Sequence, residues 1–139
     1  RRVLFRSKAF TARGGGSTAT ILKALSWMLA PTDVEGKNAD PTKAPDIVSN
    51  SWGNRNGRSL AYLDAFKAYH AAGIVPIVSA GNSGRGNRPM TIGAPASYAE
   101  SIAVAATDAN DKRAVFSSVG PSPIKGPDGK PVWTGSTGM

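Results

Sequence analysis

The chain has no cysteine, a single histidine, few acids beside its cations, and no apolar run of membrane-spanning length. Without cysteine there are no disulfides and no thiolate metal sites, and redox compartment stays open. Without a long apolar run there is no candidate membrane helix, and no charged, then apolar, then small-residue order marks a secretory leader. With Asp33, Glu35 and Asp40 as its densest acids, the chain also lacks the regular ligand spacing and terminal Glu of an EF-hand, so the stretch from Pro31 to Pro45 reads as a solvated loop. What is present is a 40% apolar composition spread along 139 residues, enough for one domain with a core and unlike a disordered tail.

The shortage of acids leaves a formal net charge of +8, which raises nucleic acid as a partner. The cations argue against it by their placement. Arg55, Arg58, Arg85 and Arg88 are scattered through loops, with no basic helix stripe and no stacking aromatics between them. Arg1, Arg2 and Arg6 lie in RRVLFRS, which is what one reading frame of a widely used sequencing-library adapter encodes, as CGA CGT GTG CTC TTC CGA TCT. Residues 1–7 are therefore expected to be an assembly scar, to be set aside in fold reasoning, and residues 8–139 carry the natural sequence at a net charge of +5.

Strand and helix signals alternate from there on. Lys8–Phe10 reads as the end of a strand, and the Gly14–Gly16 turn leads into a helix capped by Ser17 or Thr18. That helix carries Ile21, Leu22, Leu25, Met28 and Leu29 at helical spacing and stops before Pro31. Asp46–Trp52 is a short strand. A helix is predicted from about Arg58 to Ala72, with Leu60, Leu63, Phe66 and Tyr69 inward and Gly73 just past its end. Ile74–Ser79 and Ser101–Thr107 are further strands, apolar throughout rather than alternating, which predicts a parallel sheet covered on both faces.

The stretch Ile74–Gly84, IVPIVSAGNSG, is the most informative in the chain. Open α/β sheets place chemistry at the carboxyl ends of their strands. Here a strand delivers Ser79, Ala80, Gly81 and Asn82 to such an end. A phosphate cradle is disfavoured, because no Gly-Lys-Ser/Thr or Gly-x-Gly-x-x-Gly opens a helix there. Asn82 can donate a hydrogen bond to a developing oxyanion without adding a charge of its own. Ala-Gly-Asn is equally an ordinary exit from a strand into a turn, and the tripeptide alone leaves both readings open.

Lys8–Phe10 with the glycine turn and the helix containing Trp27; Asp46–Gly53, DIVSNSWG; Ile74–Asn82; and Ser101–Pro121, SIAVAATDANDKRAVFSSVGP, are four blocks that together resemble the subtilisin-like serine proteases. The loop with Ala30–Asp33 before Ala44–Asp46 suggests a closer tie to the bacillopeptidase F type. The resemblance implies an α/β fold, the subtilisin-like three-layer arrangement with a parallel sheet, incomplete at both ends. It implies that Asn82 is the oxyanion-hole asparagine, that Ser51, Trp52 and Gly53 pair with the substrate backbone, and that Ser79, Ala80, Gly81 and Ser83, with Gly93 opposite, wall the first specificity pocket. Small Ser83 and Gly93 suggest an apolar or roomy pocket; Arg85 and Arg88 suggest, as second choice, an acidic side chain. Ala94–Pro95 matches a turn where the family often has a cis proline.

The departures matter as much. The family's aspartate and histidine motifs fall upstream of Lys8 and are absent, and His70 is in the wrong block to be the general base. Gly135–Met139, GSTGM, has the wrong order for the nucleophile motif Gly-Thr-Ser-Met-Ala and is expected to be loop. The resemblance therefore implies the central part of a serine endopeptidase, inactive as it stands, with a peptide or protein as substrate, no nucleic-acid or membrane partner, and a monomeric, secreted parent. The alternative is a noncatalytic peptide-binding domain of the same fold. No cofactor is identifiable. Calcium is common in the family, but its strong-site ligands are not found in this sequence.

Overall fold

The computed structural model describes residues 7–133, so Gly135–Met139 and nearly all of the expected scar lie outside the described residues. Three parallel strands, β1 (Ile47–Asn50), β2 (Val75–Ser79) and β3 (Ile102–Val104), form one sheet in the order β1-β2-β3. The register pairs Ile47 with Val75 and Asn50 with Val78, then Ile77 with Ile102 and Ser79 with Val104. Two helices, α1 (Thr18–Leu29) and α2 (Leu63–Ala71), pack against one another, and α2 packs on β2.

Helix α1 starts where the sequence says. Ser17 is the cap, its Oγ accepting from the Thr20 N–H at 3.1 Å. The helix buries Ile21 and Leu25. The Tyr69 hydroxyl, carried on α2, donates to the Leu25 carbonyl at 2.9 Å and fixes the two helices together. Phe66, Tyr69 and Tyr98 are completely buried. Full burial of a side chain such as Phe66 contributes roughly 1.5–3 kcal/mol of transfer free energy before conformational entropy is subtracted.

Three expectations are corrected. Helix α2 begins at Leu63, not near Arg58, and Leu60 is 56% exposed rather than inward. The reason is tertiary: Tyr98 Oη donates to the Ser59 carbonyl and accepts from the Tyr62 N–H, while Ser97 Oγ donates to the Gly57 carbonyl. These bonds hold residues 57–62 as turns before a helical ladder can form. Lys8–Phe10 is not a strand; Ala9 and Phe10 instead face β1 across a cavity of about 470 Å³, and without a hydrogen-bonded neighbour a segment cannot be a sheet member.

The third correction concerns coverage. Inward positions Val48, Asn50, Pro76 and Val78 are buried beneath the helices. The alternate positions Ile47, Ile102 and Val104 are 57%, 53% and 50% exposed. Among the described residues the helices cover one face of the sheet, and the apolar strands predicted to be covered on both are open on the other.

The loop at Pro31–Pro45 organises itself. The Asp33 carboxylate accepts from the Lys37 and Glu35 N–H groups and from Asn38 Nδ2, which holds its pKa below the usual carboxylate range, the Lys37 bond contributing most. No described helix is long and apolar enough to cross a membrane.

Candidate functional site

A cleft of about 480 Å³ opens at the carboxyl ends of β1 and β2. Its construction starts from Asn50, the last residue of β1 and a buried polar side chain. Asn50 Nδ2 donates to the carbonyls of Val48 and Ile77, tying β1 to β2, and Asn50 Oδ1 accepts from Trp52 Nε1 at 3.1 Å. The Trp52 ring is thereby set edge-on to Tyr62, with centroids 5.0 Å apart. Ser51, Trp52 and Gly53 then leave the sheet along the cleft.

The opposite wall comes from the segment around Gly93. The Asn54 N–H donates to the Ala94 carbonyl at 2.9 Å in a single antiparallel bridge. A side chain at Gly93 would run into the Asn54 carbonyl, so glycine is required by this close approach of two backbones. The Ala94–Pro95 peptide is cis, as is Gly120–Pro121. Behind this wall Ser97 is fully buried, its carbonyl accepting from Ser122 Oγ and from Trp133 Nε1.

The floor and tip come from the end of β2. The Ala80 N–H still donates to Val104 of β3, and then Gly81, at φ +98°, turns the chain out of the sheet. Ser118 locks this turn from below: its N–H donates to the Gly81 carbonyl at 2.9 Å, and its Oγ accepts from the Ser83 N–H at 2.9 Å. Between those two anchors stands Asn82, exposed, its carboxamide without a hydrogen-bond partner among the described residues. A neutral donor held at its base and free at its tip is suited to an anionic oxygen arriving in the cleft.

All nine residues singled out from the sequence, Ser51, Trp52, Gly53, Ser79, Ala80, Gly81, Asn82, Ser83 and Gly93, line this one cleft. His70 does not; it is exposed on the last turn of α2. Arg85 and Arg88 are exposed in the excursion beyond Gly84 and do not line it either. Four lining residues went unselected: Asn54, Arg55, Ala94 and Ser118. Ser118 had a signal, since a serine inside the long ordered block from Ser101 to Pro121 had no assigned task. Arg55 carried none, because its position depends on the Asn54–Ala94 bridge.

Comparison with known proteins agrees with this architecture. Residues 4–132 match the Peptidase S8 subtilase family. Bacillopeptidase F of Bacillus subtilis strain 168 is 49% identical over 118 residues, covering 84% of this chain and 8% of that protein. Subtilisin DY of Bacillus licheniformis is 35% identical over 117 residues, again 84% of this chain and 38% of the relative. The solved prenylagaramide maturation protease PagA superimposes with a TM-score of 0.59 at 20% identity, over 78% of this chain and 34% of that one, which is a likeness of fold. The chain thus spans well under half the length of these relatives. With the match running from residue 4 to residue 132 and a relative at 49% identity, the chain belongs to the subtilase family.

Proposed function

We propose that these residues are the substrate-holding and oxyanion-stabilising centre of a secreted subtilisin-like serine endopeptidase whose aspartate, histidine and serine lie in flanking sequence. The observation that carries this reading is the convergence of Ser51–Gly53, Ser79–Ser83 and Gly93 on one cleft, with Asn82 unbonded at its tip. In the whole protein a serine attacks the peptide carbonyl and a histidine takes its proton. Asn82 donates to the oxygen that becomes negative in the tetrahedral intermediate. The substrate backbone lies along Ser51–Gly53 as an added strand. The chain by itself, without nucleophile and base, is expected to hydrolyse nothing.

Recovery of the flanking nucleotide sequence, followed by expression of the whole protein, tests this. An upstream Asp and His, a downstream Gly-Thr-Ser and peptidase activity are expected. In that protein Asn82→Ala should lower kcat about a hundred- to a thousandfold with KM little changed, a magnitude taken from the equivalent asparagine of subtilisin rather than from this cleft's geometry. Peptide binding without hydrolysis would instead favour a noncatalytic peptide-binding domain. Hydrolysis by the pure 139-residue chain would refute the assignment of its missing groups.

A further inference from the structure

Among the described residues Arg55 is the one charged residue lining the cleft, and no carboxylate lines it. The side chain is exposed and forms no ion pair among the described residues. Its backbone is well fixed. The preceding Asn54 is bridged to Ala94, and the Arg55 Cα lies 3.8 Å from where a Gly93 side chain would begin. The Arg55 backbone is therefore held where the two walls of the cleft meet, and its exposed side chain belongs to the lining that also holds Ser83. Most of the other lining side chains are neutral and polar, among them Ser79, Asn54 and Ser118, so an entering anion meets hydroxyl and amide donors as well as the cation.

From this arrangement we infer that the cleft selects an acidic side chain, Glu or Asp, of the bound peptide, and that Arg55 is the residue that selects it. The inference rests on the peptidase reading and names the substrate class for that site. A guanidinium suits the task because its planar fork can give two parallel hydrogen bonds to one carboxylate and stays charged at every working pH. It also replaces the assignment of acidic preference to Arg85 and Arg88, which lie outside the cleft. The apolar or roomy pocket suggested by Ser83 and Gly93 becomes the space in which the carboxylate reaches Arg55.

The test uses the whole protein and a peptide series differing only in the residue seated in the cleft: Glu, Gln, Leu or Lys. The Glu peptide should exceed the isosteric Gln peptide by about tenfold in kcat/KM, a margin that shrinks with added salt because Arg55 is exposed. Arg55→Gln should erase the margin, and Arg55→Glu should turn the preference toward Lys. Cleavage that treats Glu and Gln alike, or a Glu preference unchanged in both variants, overturns the inference while leaving the peptidase reading intact. If no peptide is cleaved, the peptidase reading fails, and calorimetric binding of the same peptides decides the role of Arg55. A Glu-over-Gln margin lost in Arg55→Gln supports it, and equal binding ends it.

Discussion

The two faces of the sheet carry the same kind of side chain in different surroundings. On the helix side Val48 and Val78 lie beneath Phe66 and Tyr69 and are almost wholly excluded from water. On the other side Ile47, Val75, Ile102 and Val104 line up across the paired strands and remain open. Strand side chains alternate by geometry, so a strand that is apolar at every position asks for cover twice. The described residues provide it once. Composition therefore announces what a strand needs, and only the arrangement of neighbours reveals what it has.

The sharpest test of this contrast is on the covered face. Phe66→Ala removes a ring that is 0% exposed and packed edge-on against Tyr98 at 5.5 Å, and a loss of about 3–5 kcal/mol is expected in urea unfolding. A matched pair then compares the faces with one chemistry. Val78→Thr places a hydroxyl where the side chain is fully buried and should cost about 1–3 kcal/mol. Val104→Thr makes the same change at a half-exposed position and should stay within about 0.5 kcal/mol, measured in the same titration. Equal costs at the two sites would break the comparison. They would mean that the outer face is covered in solution, by a second copy or by a further segment.

Sequence reasoning was strongest where the determinant is local. Ser17 as a cap and Pro31 as a stop depend on neighbours a few residues away. The cleft residues were legible for another reason, the ordered blocks of a family resemblance. Errors gathered where distant chain decides. The turns at 57–62 follow bonds made by Ser97 and Tyr98, which no periodicity around Leu60 could reveal. Lys8–Phe10 has the composition of a strand but no partner edge. Arg55 looked like one more surface cation until the bridge between Asn54 and Ala94 set it in the wall of the cleft.

The lock that Ser118 places beneath Asn82 has a consequence in time. Ser83 and Ser118 are 35 positions apart, so a nascent chain can complete β1, α2 and β2 well before the residue that fixes the tip of the cleft has been synthesised. Sheet and cleft are separate achievements of the same sequence. A chain ending before Ser118 would contain the sequence of all three strands but not the residue that fixes the backbone on either side of Asn82.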